Sequence, residues 1–550
     1  MNKLEVDITG MTCEHCAFSI ENLLKKNTDV SQASVDYKSG KGKIVYDNGG
    51  TDKKMLVNTI NSIGNYKVSG FQESLANQDS NSHYDLIIIG GGSAAFSAAI
   101  IAQENGLSTL MVNAGLPFGG TCVNVGCVPS KFLIRAGEEA HHASHSNFEG
   151  VQVKGAVIDF AKIIKEKNNL VTGLQQKKYL DIVKDFENFQ MIEGWADFLD
   201  TRTLQVNGSD RYTALKFIIA TGATTRIPDI EGLQDVGYLT NVSLFNLQEK
   251  PLSLTILGAG YIGLEIAMAY NRLGVKVRII EFTDRVLRTQ TDDISQELEL
   301  HLRNEGIEIL PNVRAFKFEK EENNTIIHCK DALGQEIKLN EPGHIVVATG
   351  TKPNTSKLAL ENIGIELTQS GHVAVNELLE TNISNIYAVG DVANTPPYVY
   401  TAAAEGNIAV QNAFKSAGLK MDYSSLPWVV FTDPQIAGVG IDEVEAQRLG
   451  LPFEISKLPL TEVPRSLAAK DTRGFIKLIR NKETDKLIGA RVVAPEGGEL
   501  IMELTLAVKY GITVSDLAKT FHPYLTLSEG IKLAAIAFGK DIAKLSCCAS

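Results

Sequence analysis

The sequence predicts an α/β protein built around two stacked nucleotide-binding domains. A small βαββαβ unit precedes them and a separate α+β domain follows. Three observations lead there. An apolar run meets a glycine-rich turn and then a helical stretch twice, at YDLIIIG and at LTILGAG, the opening of a dinucleotide-binding unit. The first seventy residues alternate apolar and polar around two short helical patterns. From about Pro427 the runs WVVFTDPQIAGVG, GFIKLIR and KLIGARVVA read as new strands, with helices after them. A chain of 550 residues has room for this, at roughly 100–200 residues per domain.

In residues 1–70, LEVDI, ASVDY, GKIVYD and YKVSG read as strands, and SIENLLKK and KKMLVNTINSIG as helices. That order is ferredoxin-like, of the split βαβ kind. Residues 71–83, FQESLANQDSNSH, are polar and aperiodic and predict a flexible linker. The longest uncharged run, Leu86 to Gln103, is broken by Gly90, Gly91, Gly92 and Ser93. It reads as strand, turn and helix, not as a membrane span. The opening MNKLEVDITG places Glu5 and Asp7 where a signal peptide needs an apolar core, so a cytoplasmic protein without membrane insertion is expected.

Hydrophobic residues at 44% and charged residues at 21% fit globular domains and exclude wholesale disorder. Lys+Arg 53 against Asp+Glu 65 gives a net charge of −12, which disfavours nucleic acid or anionic membrane as partner. Seven cysteines in so long a chain make no secreted disulfide framework. Their spacing matters more: Cys13/Cys16, Cys122/Cys127, Cys547/Cys548 and a single Cys329, in the alternating TIIHCK, read as a strand residue.

The two turns are assigned residue by residue. Gly90 permits the tight turn, Gly92 lets backbone approach a pyrophosphate, and Ala95 allows close helix–strand packing. Gly258, Gly260 and Gly263 repeat the pattern before Tyr261, so two dinucleotides are expected. At the end of the second strand the first unit has Asn113, a weaker ribose acceptor than a carboxylate. The second has Glu281, which suits a free 2′-hydroxyl and NADH, while nearby Arg285 and Arg288 suit the 2′-phosphate of NADPH. Both nucleotides remain open on these residues.

The most specific signal is Gly119-Gly120-Thr121-Cys122-Val123-Asn124-Val125-Gly126-Cys127-Val128-Pro129-Ser130-Lys131. A C-x4-C pair entering a helix can close a disulfide, and the helix dipole lowers a thiol pKa. The stretch resembles the active site of the pyridine nucleotide–disulfide oxidoreductases. The resemblance runs from about Tyr84 to the C-terminus through Ala220-Thr221-Gly222-Ala223, Ala348-Thr349-Gly350 and Asn385-Ile386-Tyr387-Ala388-Val389-Gly390-Asp391. It implies an FAD-binding domain in two parts, 84–227 and 353–425, an NAD(P)-binding domain at 228–352, and a dimerisation domain at 426–550. It implies FAD contacts from Gly120, Thr121, Lys131, Ala223, Asp391 and Val399. Tyr261 would cover the flavin where nicotinamide docks. Cys127 would face the flavin and Cys122 would exchange thiols.

The chain departs from disulfide reductases at Phe521-His522-Pro523-Tyr524-Leu525-Thr526-Leu527-Ser528-Glu529. Aligned on Thr526-Leu527-Ser528-Glu529, Tyr524 stands where the H-P-x-x-S-E histidine, the acid/base of thiol exchange, should be. At a pKa of about 10 a tyrosine is a poor base but a good hydrogen-bond donor. The tail Leu545-Ser546-Cys547-Cys548-Ala549-Ser550 adds vicinal thiols, poorly suited to a structural crosslink and well suited to a soft cation. Gly10-Met11-Thr12-Cys13-Glu14-His15-Cys16 resembles the GMTCxxC site of heavy-metal-associated domains.

Three dithiols, one of them wired to flavin, suit a metal that is held by two sulfurs and then reduced by two electrons. Hg(II) meets that description. The combination resembles the mercury-reducing members of the oxidoreductase family over essentially the whole chain. It implies NAD(P)H-dependent reduction of thiol-bound Hg(II) to volatile Hg(0), with Cys13/Cys16, Cys122/Cys127 and Cys547/Cys548 as metal ligands. It also implies a homodimer whose tail and Tyr524 serve the other subunit's site, with Tyr179 as a second active-site tyrosine. Two other readings are a dihydrolipoamide dehydrogenase-like disulfide reductase with an accessory metal domain, and a soft-metal trafficking protein. His141, His142 and His145 read as a solvated helix face, and Arg465 and Arg473 are given no chemistry.

Overall fold

The computed structural model describes residues 2–11, 14–37, 39–47, 51–62, 66–75, 82–322 and 324–542. Cys13, Cys547 and Cys548 lie outside them. The chain divides into two units, Met1–His83 and Tyr84–Ser550.

In the first unit, the strands Asn2–Thr9, Val30–Asp36, Lys41–Tyr46 and Lys67–Leu75 and the helices Glu14–Leu24 and Lys53–Asn61 follow the βαββαβ order. The antiparallel sheet runs second, third, first, fourth strand. Alternation buries one face: Leu4, Ile44 and Tyr46 meet Ile20 and Leu24 of one helix and Leu56 and Ile60 of the other. Asp52 caps the second helix by accepting from the Met55 amide at 2.8 Å, satisfying an amide with no intrahelical partner. The last strand overruns the expected domain end at residue 70. Phe71 pairs with Val6 and Leu75 with Asn2, so residues 71–75 belong to the sheet and not to the linker. Residues 71–75 form a sheet edge held by backbone pairing, with Phe71 left half-exposed. The next strand, Ser82–Ile89, begins before the expected linker end at 83.

In the second unit, Leu86, Ile87, Ile88 and Ile89 are all buried, as both-face coverage of a parallel strand requires. This strand pairs in parallel with Thr109–Asn113, which pairs with Phe189–Glu193. On the other side Asp210–Ile219 joins the sheet, and Ile386–Ala388 returns to pair with Phe217, Ile218 and Ile219. One sheet is thus assembled from two separated stretches of sequence. Between them the parallel strands Ser253–Leu257, Lys276–Ile280, Glu308–Leu310 and His344–Val347 form a second nucleotide-type sheet. The C-terminal region is a five-stranded antiparallel sheet with the helices Gly497–Lys509, Val514–Lys519 and Glu529–Ile536. Among the described residues no helix is long and apolar enough to cross a membrane.

One packing detail positions the site. The helices Cys127–His142 and Tyr261–Arg272 cross where Gly137 faces Ala269, and a Cβ on Gly137 would lie 3.1 Å from the Ala269 carbonyl oxygen. The helix behind the dithiol therefore lies directly on the helix behind the second glycine turn.

Candidate active site

The first turn is shaped by contacts that exclude side chains. Gly90 has φ +131°, and a Cβ there would stand 2.1 Å from the Ala220 carbonyl oxygen. Gly92 precedes the helix Ser93–Glu104, so its amides are free for an anion, and Ala95 is fully buried beneath them. The short helix Gly120–Val125 passes over this turn. Gly120 has φ +63°, and its Cβ would lie 2.6 Å from the Gly92 Cα. The segment bearing Thr121 and Cys122 is thus pressed against the pyrophosphate position.

Cys122 lies in that short helix, and Cys127 opens the helix Cys127–His142. Both are free thiols. Cys122 hydrogen-bonds Cys127, which with the nearby Lys131 outweighs burial and brings the Cys127 thiol down to about 7. The same contact, together with burial, pushes Cys122 well above the ordinary thiol range.

Lys131, one turn along the helix, donates to Glu265 Oε2 at 2.7 Å and stands over the Phe431 ring at 4.4 Å. Glu265 is buried and also accepts from the Phe431 amide at 3.0 Å. Tyr179 sits in the π-helical turn Gln176–Leu180, its hydroxyl 3.2 Å from Ser93 Oγ and its ring edge-on to Phe96 at 4.9 Å. Burial, then the charge at the dithiol, pushes its phenol above the usual value, so it stays protonated.

The residues fit FAD. Asp391 lies in the turn Gly390–Val392 before the helix Val399–Lys415, whose first residue is Val399. Burial and the neighbouring Glu405 charge raise the Asp391 carboxyl. No Lys or Arg contributes to that shift, as suits a group that binds hydroxyls. Ala223 begins the short strand Ala223–Thr225, and Thr221 bonds the Asn354 carbonyl at 2.8 Å. Asn113 donates to the Leu116 carbonyl at 2.8 Å.

The second turn repeats the first with more room. Gly258 has φ +105°, its Cβ position 2.6 Å from the Ala348 carbonyl oxygen, and Gly263 backs onto Gly258. Beside Gly260 nothing lies within 4 Å of the Cβ position. Glu281 is buried, its carboxylate accepting from the Ala259 amide at 2.7 Å and from the Thr283 amide and hydroxyl at 2.8 and 2.7 Å. Tyr261 heads the following helix, its hydroxyl 3.2 Å from Thr289 Oγ1.

The structure brings Cys122, Cys127, Lys131 and Tyr179 together around the first turn. Tyr524, on the C-terminal domain, is 49% exposed. Cys329 is buried in a strand, its thiol pushed up to about 11 by burial. His142 and His145 are exposed, as a solvated helix face requires, while His141 is partly buried, stacking on His145 at 4.3 Å and lying 3.9 Å from Glu305. Burial lowers His141, and Arg272 adds to it. Among the described residues no group of three or more potential ligands could hold a metal ion. Arg473 bonds Asp433 and Asp471 at 2.8 and 2.7 Å.

Sequence reasoning passed over Glu265, Ser93 and Phe431. Glu265 left a signal: it is the single charge within the apolar stretch YIGLEIAMAY of its helix.

A dithiol pressed on one nucleotide turn, backed by the helix of a second, defines the architecture of a pyridine nucleotide–disulphide oxidoreductase. The model of that family matches residues 84–406, its dimerisation domain 426–535, and the heavy-metal-associated domain 5–65. The mercuric reductase of Staphylococcus aureus is 40% identical over 553 residues, covering 100% of this chain and 99% of the relative. That of Lysinibacillus sphaericus is 39% identical over 559 residues, covering all of both. The Cu(II) complex of the HOCl-induced flavoprotein disulfide reductase RclA from Escherichia coli superposes with a TM-score of 0.75. It is 28% identical, covering 84% of this chain and 100% of that one. The chain belongs to the mercuric reductase family of pyridine nucleotide–disulphide oxidoreductases.

Proposed function

We propose that this enzyme reduces thiol-bound Hg(II) to Hg(0) with NADPH, using FAD and the Cys122/Cys127 dithiol. The observation that carries this reading is the seat of the Cys122/Cys127 dithiol over the first nucleotide turn, with Lys131 held by Glu265 behind it. Bound FAD supplies a two-electron relay between nicotinamide and the dithiol. The chain's own residues do the rest. An attacking thiolate forms one S–Hg bond as one bond to the old ligand breaks, and the displaced ligand leaves as a thiolate that takes its proton from water. Lys131 supports the Cys127 thiolate, and Glu265 fixes Lys131. Tyr179, kept protonated by burial, donates a hydrogen bond and takes no proton.

Capture belongs to Cys13/Cys16 and Cys547/Cys548, which pass Hg(II) inward without releasing free ion. The working form is a homodimer in the cytoplasm, in which the tail and Tyr524 of one subunit serve the dithiol of the other. NADPH is favoured over NADH because Glu281 already accepts three hydrogen bonds from its own chain. That leaves Arg285 and Arg288 to meet a 2′-phosphate.

The test is anaerobic NADPH oxidation with Hg(II) and excess small thiol, run beside Cys547→Ala/Cys548→Ala and beside lipoamide. Rapid Hg-dependent oxidation, slowed in the variant and absent with lipoamide, is expected. Brisk lipoamide reduction without mercury turnover would overturn the reading in favour of a disulfide reductase.

A further inference from the structure

The loop 281–291 joins the second strand of the NAD(P) sheet to the helix Asp292–Asn304. Its two ends do different work. At one end, Arg285 Nη1 lies 3.0 Å from Asp284 Oδ2, and Arg288 Nη1 lies 3.9 Å from Asp284 Oδ1. A carboxylate thus sits between two guanidinium groups, where a phosphate dianion would compete for both. At the other end, Gln290 Nε2 donates to the Tyr261 hydroxyl at 3.3 Å, beside the Thr289 contact. Arg285 connects the ends: its Nη2 donates to the Gln290 backbone carbonyl at 3.4 Å and reaches Asp292 at 3.1 Å. Two buried atoms of this loop have no partner among the described residues, the donor Arg285 Nε and the acceptor Gln290 Oε1. The Tyr261 ring lies 6.2 Å from that of Trp428.

We propose that Gln290 is a positioning residue that couples capture of an adenosine 2′-phosphate at Arg285 and Arg288 to the position of Tyr261. The inference rests on the NADPH reading. A 2′-phosphate drawn onto the arginines displaces Asp284 and turns Arg285 away from the Gln290 carbonyl. The Gln290 amide then lets go of the Tyr261 hydroxyl, and the ring moves relative to Trp428. Only hydrogen bonds and ion pairs change. A nucleotide without the 2′-phosphate leaves Asp284 in place and Tyr261 held. Coupling of this kind is reciprocal, so loosening Tyr261 tightens the phosphate site.

The sequence has two tryptophans, so Trp195→Phe leaves Trp428 as the sole indole reporter in the holoenzyme. Binding of 2′,5′-ADP is measured by calorimetry and by Trp428 emission, with 5′-ADP as control. We expect 2′,5′-ADP to bind at least about tenfold tighter than 5′-ADP and to change the emission. Adding Gln290→Met should remove the emission change and tighten 2′,5′-ADP by up to about threefold, and Gln290→Leu, equally devoid of the amide donor, should do the same. Tyr261→Phe should tighten 2′,5′-ADP. Emission that fails to respond in the parent, or still responds in both Gln290 variants, would overturn the coupling while leaving the NADPH reading in place. Equal binding of the two nucleotides would overturn both.

Discussion

The two glycine turns are built alike and enclosed differently. Gly90 and Gly258 have φ of +131° and +105°, and each is blocked by a carbonyl of the following crossover, Ala220 or Ala348. Above Gly92, however, the nearest atom to a Cβ position is the Gly120 Cα at 3.8 Å, whereas beside Gly260 there is none within 4 Å. The first turn is covered by the dithiol segment and the second is open. That difference suits a first nucleotide held beneath the dithiol segment and a second reached from outside. It also explains why the dithiol belongs to the covered turn: electrons must arrive at Cys122 and Cys127 from a group that does not leave.

The largest effect is expected at the segment that covers the first turn. Gly120→Val meets both a positive φ and backbone 2.6 Å away, so the purified protein should carry almost no flavin, read as absorbance per chain. Next comes the end of the second strand. Glu281→Gln weakens three buried, charge-assisted hydrogen bonds and should cost about 1–3 kcal/mol in thermal or denaturant unfolding. Asn113→Ala, losing one neutral bond to Leu116, should cost nearer about 1 kcal/mol.

The dithiol's electrostatics sharpen the contrast further. Lys131 lowers and Glu265 raises the Cys127 thiol. Lys131→Met should therefore move the pH midpoint of Cys127 alkylation up from about 7, by about one unit, leaving less thiolate at neutrality. Glu265→Gln should move it down. The two variants shifting the midpoint in the same direction would sink this account of the pair. At the second turn, Gly260→Ala should retain its flavin but raise the KM for NADPH by up to about tenfold, because the methyl stands where backbone must approach the pyrophosphate.

What was readable in the chain follows from distance along it. The glycine turns, the C-x4-C pair and Lys131 are local patterns, each fixed by what one turn or one helix start can tolerate. Glu265 was not readable as a partner of Lys131 because 134 positions separate them. His141 looked like a solvated residue because helical periodicity describes only its own helix, while Glu305 and Arg272 approach from the neighbouring domain. The strand through Leu75 was missed because an edge strand is held by its backbone, which composition does not report. Tyr179 was noted as an active-site candidate, but its hydroxyl contact to Ser93 and its place against Phe96 appear only in the folded chain.

The order of the domains, the two glycine turns and the close spacing of Cys122 and Cys127 are all legible in the chain. Each rests on steric or chemical demands met within a few residues. Folding sets the direction in which each thiol is shifted, which turn is covered and which charges face one another. Those outcomes depend on burial and on electrostatic fields, and both are set by groups that folding brings together from distant parts of the chain.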